Sequence, residues 1–375
     1  MGRLRAIVLL LIMVLACGCK GPGEPPSELS YKGLSIVVWD AKEPHLPGAS
    51  PYTELVARAV EAFAREHGVE VEVLFQTRSK IEELLSGNYK GEEPSLVYST
   101  EWPFVGSGIQ DLTDLVSIGD YQDAAITYWT DAGKIMGIPS YVHWLCLAKR
   151  GAGPVHLKDS TGYYLTGPGF LDSGLDGSNS SWTEQSLLDY VEWVKSTFGS
   201  YVEEPLDLWI QNEFNALFPV TPHLLKWLRL AQGDGSVQML PIPGIYGEPR
   251  FHFTVPGYVV TAQEDNELRC AVELGKTLAS TRGKWAARAT GGMPAYIQDM
   301  PVFHVESGLT REERLALMSG FENSGCRMGD LSEFLKRTDI RNFAASLIER
   351  YLSGRISKGE FEEGIRSGMK GYNNH

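Results

Sequence analysis

Two pairs of adjacent aromatic and acidic residues are the first groups in this sequence whose types could do chemistry. Trp39 precedes Asp40, and Glu101 precedes Trp102, each after a short apolar run. An aromatic ring offers a flat apolar face, and a carboxylate beside it accepts directional hydrogen bonds. Such pairs suit a ligand with C–H faces and hydroxyl groups, and they also suit an organic cation. The alternative is that Trp39 belongs to the core and Glu101 is an ordinary loop charge.

A second group of candidates is aromatic and lies further along the chain. Tyr141, His143 and Trp144 fall in one extended apolar run. Side chains alternate along a strand, so Tyr141 and His143 share one face and Trp144 shares the other with Cys146. We expect Tyr141 and His143 to face a ligand, with ordinary packing as the alternative. The remaining aromatic candidates, each beside turn residues or at a strand boundary, are Trp209, Tyr246 and Tyr258.

Motifs typical of enzymes and metal sites are absent from the sequence. It contains no G-x-S-x-G, H-E-x-x-H, G-x-x-x-x-G-K-[ST] or G-x-G-x-x-G, and its 8 histidines have no metal-ligand spacing. We therefore expect no catalytic residue, no metal and no cofactor. The chain has 34 Lys and Arg against 47 Asp and Glu, a net charge of −13. An acidic chain without a basic run excludes a nucleic-acid partner.

The elements that must position these residues alternate between strand and helix. The predicted strands are Leu34–Trp39, Val69–Phe75, Ser95–Tyr98, Val237–Pro241 and Tyr258–Thr261. The predicted helices are Tyr52–His67, Lys80–Ser86, Thr183–Phe198 and Glu264–Leu278, with helix almost throughout from Thr310 onward. The opening order predicts a parallel sheet covered by helices. In such sheets ligands bind beyond the carboxyl ends of the strands, where both aromatic–acid pairs lie.

The N-terminus predicts export and lipid attachment. Arg3 and Arg5 precede the apolar run Ala6–Ala16, which is shorter than the roughly 20 residues of a membrane-spanning helix. The run ends in Val-Leu-Ala before Cys17, the order of a bacterial lipobox, so Cys17 is the predicted lipidation site. A plain secretory signal is the alternative. The segment Lys20–Ser30 is rich in Gly, Pro and polar residues and is typical of a tether.

The spacing of the remaining cysteines indicates neither a disulfide framework nor a zinc site. Cys19, Cys146, Cys270 and Cys326 lie far apart and form no C-x-x-C. Cys146 lies in an apolar run, which favours a small core residue. The sequence neither requires nor excludes a disulfide bond between Cys270 and Cys326.

Six segments, in order behind the lipobox, resemble the carbohydrate-type solute-binding proteins of ABC importers related to maltose-binding protein. The most specific is Gly133–Pro139, which is similar to the "GK-x-x-GIP" motif before the first hinge. The matching segments are Ile36–Asp40, Phe63–Val73, Gly133–Pro139, Trp182–Glu184, Gly291–Ala295 and Tyr351–Ser357. Two motifs differ: Ala148–Arg150 replaces "YN-(K/R)", and "G-(K/R)-x-(A/G)-M" is not evident around 212–220.

The resemblance implies an α/β, two-lobe, periplasmic-binding-protein-like (type II) fold with a hinge and an interlobe cleft. It divides the chain into a signal peptide (1–16), a lipidated tether (17–32), an N-terminal lobe in two parts (33–142 and 259–308) and a C-terminal lobe in two parts (143–258 and the helical 309–375). In these terms the cleft would be lined by Trp39, Asp40, Glu101, Trp102, Tyr141, His143, Trp209, Tyr246 and Tyr258.

The resemblance also implies a function. We expect a monomeric, lipid-anchored protein on the extracytoplasmic face of the cell membrane. It would bind a carbohydrate ligand without covalent chemistry and deliver it to the membrane permease subunits of an ABC transporter. Two alternatives stay open: a binding protein for a polyamine or other small solute, and a lipoprotein that senses a ligand for a membrane receptor.

Overall fold

The structure is a computed structural model, and it describes eleven parts of the chain. These are residues 31–41, 50–85, 87, 89–100, 108–150, 157–159, 184–198, 217–232, 237–242, 251–323 and 338–372. None of the helices in these ranges is long and apolar enough to cross a membrane.

Strands and helices alternate along the first half and helices dominate the end. The strands are β1 (Ser35–Ala41), β2 (Glu70–Gln76), β3 (Leu96–Ser99), β4 (Thr130–Asp131), β5 (Lys134–Ile135), β6 (Ile138–Pro139), β7 (Tyr141–Arg150), β8 (Leu217–Val220), β9 (Val237–Leu240), β10 (His252–Thr254), β11 (Gly257–Val260) and β12 (Met293–Pro294). The helices are α1 (Tyr52–His67), α2 (Arg78–Leu85), α3 (Asp123–Tyr128), α4 (Glu184–Thr197), α5 (Pro222–Gln232), α6 (Asp265–Ala289), α7 (Met300–Glu306), α8 (Arg311–Asn323), α9 (Thr338–Leu352) and α10 (Lys358–Tyr372).

The first sheet has the strand order β2-β1-β3-β11-β6. β1 is parallel to both β2 and β3, which confirms the predicted β-α-β-α-β opening. A later strand joins the same sheet in the opposite sense, because β11 runs antiparallel to β3 and to β6. β11 has the opposite direction because it enters this sheet on the return path of the chain from the second sheet.

The second sheet is built around the long strand β7. β8, β9, β10 and β12 all pair with β7 in the antiparallel sense. Helix α5 lies against this sheet and is joined to α8 by an ion pair between Arg229 and Glu313. The buried guanidinium of Arg229 also donates to the carbonyl oxygen of Val237 in β9, at 3.1 and 3.2 Å. Arg229 of α5 therefore connects this helix to both α8 and β9.

Several helix ends are where the sequence predicted them. α1 ends at Gly68, whose φ of 67° is the left-handed conformation that glycine adopts without strain. Ser357 caps α10: its hydroxyl accepts from the amide of Glu360, whose carboxylate accepts from the amide of Ser357. One predicted helix end is wrong: α6 continues to Ala289, whereas the sequence predicted that it stops at Leu278.

The buried core includes two of the cysteines. Cys146 is fully buried on β7, which confirms its predicted place in the core. Cys270 is also buried, on α6, and both cysteines are free thiols. The structure therefore does not contain the bridge from Cys270 that the sequence left open; Cys326 lies outside the described residues.

Candidate functional site

The two sheets meet where the chain crosses between them. It leaves the first sheet after β6 and enters β7 through Ser140, and it returns from β10 to β11 through Val255 and Pro256. The amide of Ser140 donates to the carbonyl oxygen of Pro256 at 2.9 Å, and its hydroxyl donates to the same oxygen at 2.6 Å. The outgoing and returning segments are therefore fastened to each other at one residue.

A buried tryptophan supports this crossing from the first-sheet side. Trp129 has no exposed surface, and its indole N–H donates to the carbonyl oxygen of Val255 at 2.8 Å. Two glycines lie against its ring. A Cβ atom on Gly257 would lie 2.8 Å from the ring and 2.5 Å from the carbonyl oxygen of Ile138, and one on Gly137 would also overlap the ring. Both crossing segments can approach Trp129 only because these positions lack side chains.

A third segment reaches the same place after α6. The amide of Ala295 donates to the carbonyl oxygen of Ser140 at 3.1 Å. Helix α6 itself comes close, because a Cβ atom on Gly283 would lie only 2.7 Å from that oxygen. Three separate parts of the chain therefore converge on Ser140, and we call Ser140, Val255, Pro256 and Ala295 the crossover junction.

The carboxyl ends of β1 and β3 lie beside this junction and carry a row of polar side chains. Trp39 pairs with Val97, which places Asp40 level with Tyr98, and Tyr98 in turn pairs with Tyr258 on β11. The three side chains therefore project from adjacent strands on one face of the sheet. Each is at most 1% exposed, so this row lies inside the protein.

Arg282 of α6 projects onto the row from above. Its guanidinium forms an ion pair with Asp40, and both side chains are fully buried. The guanidinium carbon lies 3.5 Å from the ring centre of Tyr98 and 4.1 Å from that of Tyr52, so two aromatic faces enclose the cation. The second carboxylate oxygen of Asp40 accepts from the hydroxyls of Tyr52 at 2.9 Å and Tyr258 at 3.0 Å. We call these five residues the arginine cluster.

Arg282, Tyr52 and Tyr258 each keep one protonation state. Burial by itself lowers the pKa of Arg282, but the carboxylate of Asp40 and the surrounding tyrosines outweigh burial and raise that pKa well above its usual value. Burial also raises the pKa of the Tyr52 and Tyr258 hydroxyls, and the nearby Asp40 adds to the increase. The tyrosines therefore stay neutral donors and Arg282 stays a cation across the physiological pH range.

Comparison with known proteins was made by sequence and by structure. No family model matches the chain, and no curated protein sequence is significantly similar to it. Solved structures do match. A maltose/maltodextrin-binding domain of Bdellovibrio bacteriovorus bound to maltotriose has a TM-score of 0.62 at 15% identity, covering 91% of this chain and 100% of that one. This is the two-lobe fold of the maltose-binding proteins.

Two further structures share the fold over nearly the whole chain. Maltose-bound MalE3 of T. maritima has a TM-score of 0.59 at 12% identity and covers 90% of this chain and 99% of that one. The GacH receptor of Streptomyces glaucescens, studied with acarbose, has a TM-score of 0.59 at 16% identity and covers 91% and 98%. The fold class expected from the sequence motifs is therefore confirmed.

Within this solute-binding fold, Trp39 and Asp40 do not form the predicted aromatic–acid pair. Neighbouring strand residues point to opposite faces, so the two side chains are separated by the sheet. Trp39 is 3% exposed and packs edge-on against Tyr89 at 5.0 Å between ring centres, with the ammonium of Lys80 4.8 Å from its ring. Asp40 and Tyr258 belong to the buried arginine cluster. Trp39 therefore lies in the core, which was the alternative for it, and Asp40 and Tyr258 are buried in the arginine cluster. Contact of these three residues with a ligand stays a prediction.

Tyr141 and His143 share one face of β7, as predicted, with ring centres 6.4 Å apart. Trp144 and Cys146 are both buried, in agreement with the predicted alternation. Tyr141 is 7% exposed, and His143 is half-buried. Burial, with a smaller contribution from the nearby His223, lowers the pKa of His143 to about 4. His143 is therefore a neutral hydrogen-bonding group at neutral pH, and its contact with a ligand stays a prediction.

The other predicted site residues cannot be placed. Glu101, Trp102, Trp209, Tyr246 and the lipidation site Cys17 lie outside the described residues, and their roles stay predictions. Within the ranges that the structure describes, no group of three His, Cys, Asp or Glu side chains could hold a metal ion.

Sequence reasoning missed three members of the arginine cluster: Tyr52, Tyr98 and Arg282. One signal could have found Arg282. It follows Leu274 and Leu278 at intervals of four, so it continues the buried face of α6. An arginine on such a face requires a buried partner of opposite charge, and Asp40 at a strand end was the available acid.

Proposed function

We propose that this protein is an extracytoplasmic, lipid-anchored solute-binding protein. It captures a sugar or oligosaccharide between its two lobes and delivers it to the permease of an ABC transporter. Binding is non-covalent, so the protein needs no catalytic residue and no cofactor. A ligand that contacts both lobes favours their closure through the additional contacts it makes in the closed form.

The observation that carries this proposal is the crossover junction within a fold shared with sugar-binding proteins. Two sheets joined by adjacent chain segments can rotate about those segments while each sheet keeps its internal hydrogen bonds. The solved structures with this fold include proteins bound to maltotriose and to maltose. Identities of 12–16% support the arrangement of the lobes but leave the identity of the sugar to experiment.

The ligand contacts that we propose combine both lobes. Glu101 and Trp102 come after β3 in the sequence, and ligands of open α/β sheets bind beyond the carboxyl ends of such strands. Tyr141 and His143 would contact the ligand next to the crossover junction. The contacts proposed from the far lobe are Trp209 and Tyr246. Aromatic rings would stack on sugar faces, and Glu101 would accept hydroxyl hydrogen bonds.

Lipid attachment at Cys17 would keep the protein at the outer surface of the cytoplasmic membrane, near the permease. The lipobox sequence supports this part of the proposal. Metabolic labelling with a palmitate analogue tests it directly: we expect the wild type to be labelled and recovered with membranes, and a Cys17→Ser variant to be neither. An unlabelled wild type would contradict the anchor without affecting the sugar-binding proposal.

A ligand screen by thermal shift tests the central proposal. The purified protein is heated with maltose, maltotriose, acarbose, monosaccharides, polyamines and amino acids in turn. A ligand present at 100 times its dissociation constant stabilises the folded state by about 2.7 kcal/mol, which raises the Tm by several degrees. We expect at least one sugar to do this, with calorimetry giving its affinity and stoichiometry.

Other outcomes would revise the proposal in definite ways. A response to polyamines alone would leave the fold intact and replace the ligand class. A sugar response accompanied by normal uptake in a strain lacking this protein would contradict delivery to a permease and favour a sensor.

A further inference from the structure

Arg282 contacts the carboxyl ends of β1 and β3 and the start of α1. Through Asp40 and the carbonyl oxygen of Ala41, at 3.3 Å, it holds the carboxyl end of β1. Through its Nε–H it donates to the hydroxyl of Tyr52, at 3.0 Å, at the start of α1. Its guanidinium face lies on Tyr98, one residue before the end of β3. A single side chain therefore joins two strand ends and one helix start.

Stability alone does not account for a charged group in this position. Replacing a buried ion pair by well-packed apolar residues is often neutral or stabilising, because desolvation offsets the attraction. What a buried guanidinium does supply is direction, since its planar fork fixes the angles and distances of its partners. The geometry of the strand ends is thus defined more narrowly by Arg282 than an apolar residue would define it.

The same turn of α6 also contacts the crossover junction. Gly283, the next residue, approaches the carbonyl oxygen of Ser140 so closely that a Cβ atom would lie 2.7 Å from it. Adjacent residues of one helix therefore set the position of the β1 and β3 ends and the position of the chain crossing. The distance between the two features is fixed by a rigid helical backbone.

We propose that Arg282 is a positioning residue for ligand binding, which holds the carboxyl ends of β1 and β3 in register with the crossover junction. Arg282 is fully buried, so it acts through the strand ends and makes no ligand contact itself. The proposal rests on the proposed function, because it assumes that ligand binds beyond this edge of the first sheet.

The second sheet contains a matched control. Arg229 is also buried and forms an ion pair with Glu313, but it joins α5, α8 and β9 away from the β1 and β3 ends. The experiment compares Arg282→Lys with Arg229→Lys in the full chain, since both changes keep the charge and remove the planar fork. Tyr258→Phe, which removes only one hydroxyl from the arginine cluster, is the milder variant if Arg282→Lys does not fold.

Two readouts separate positioning from a merely structural role. Hydrogen exchange without ligand is measured in peptides covering β1 and β3, and the dissociation constant for maltotriose is measured by calorimetry well below the Tm. We expect Arg282→Lys to accelerate exchange at the ends of β1 and β3 and to weaken maltotriose binding about tenfold, as changes to residues that orient direct contacts commonly do. Arg229→Lys should leave the exchange rate and the dissociation constant at their wild-type values, even if it lowers the Tm as much as Arg282→Lys does.

Exchange at β1 and β3 that is no faster in Arg282→Lys than in Arg229→Lys would overturn the proposal. An unchanged maltotriose affinity in Arg282→Lys, where the wild type binds maltotriose, would overturn it as well. Failure of the wild type to bind any sugar is a different result, because it contradicts the proposed function while the exchange measurement still decides whether Arg282 sets the strand ends.

Discussion

Replacing Gly283 with alanine tests the closeness of α6 to the crossover junction. In the interior of a helix, Gly→Ala normally stabilises a protein by about 1 kcal/mol, because alanine loses less backbone entropy on folding. Here the new Cβ would lie 2.7 Å from the carbonyl oxygen of Ser140, well inside van der Waals contact. That oxygen also accepts from Ala295, so it cannot move freely. Overpacking of a fixed site costs about 1–3 kcal/mol, so after the gain of about 1 kcal/mol we expect a net loss of up to about 2 kcal/mol.

The control for this prediction is Gly359→Ala in α10, where an added Cβ would meet nothing within 4 Å. The free energy of unfolding is measured for both variants by urea titration, with far-ultraviolet circular dichroism as the signal. Gly359→Ala should be neutral or slightly more stable than the wild type, and the two variants should differ by about 2 kcal/mol. A Gly283→Ala variant as stable as the Gly359→Ala control would refute the argument that a glycine is required beside Ser140.

Three further predictions concern other parts of the molecule. Trp129→Phe should lower the free energy of unfolding by about 2–4 kcal/mol in the same titration, because it leaves the buried carbonyl of Val255 without its donor and opens a cavity; a loss below about 1 kcal/mol would contradict the supporting role of Trp129. His143 has a pKa of about 4 in the folded protein against 6.5 ordinarily, so the unfolded chain takes up a proton between these values that the folded chain does not. Stability should therefore fall as the pH falls from 6.5 to 4, and His143→Gln should make this fall less steep. The fall that remains is expected from His252, whose pKa burial lowers to about 3; a profile that His143→Gln leaves unchanged would exclude His143 as a source. Trp102→Ala should weaken binding of the identified sugar by about 1–3 kcal/mol in calorimetry, and unchanged affinity in a folded variant would remove Trp102 from the proposed site.

The opening strands and helices could be predicted because their signals are local. The periodicity of β1 and α1 and the glycine at 68 are each contained within a few residues, and the structure confirms them. The end of α6 could not be predicted in this way. Local propensity favoured a stop at Leu278, but the helix continues because its later residues contact the first sheet and the crossover junction, and those contacts are visible only in three dimensions.

At the candidate site, too, local signals could be predicted from the sequence and long-range contacts could not. The rule that ligands bind beyond the carboxyl ends of strands directed attention to the end of β1. It could not show which way Asp40 points, because the partner that turns Asp40 inward is Arg282, 242 residues away in sequence. Without a pairing signal across that distance, an acid at a strand end is equally compatible with an exposed acceptor and with a buried ion pair.

The strand order of the first sheet has a consequence for how the protein is made. β11 lies between β3 and β6, yet it is synthesised after β7 to β10 of the other sheet. Until residues 257–260 have emerged from the ribosome, one edge of β3 has no partner and β6 has nothing to join. The first half of the chain therefore cannot complete its own sheet, and folding must wait for a contact of high sequence separation. A nascent chain of this protein would remain incompletely folded for most of its synthesis.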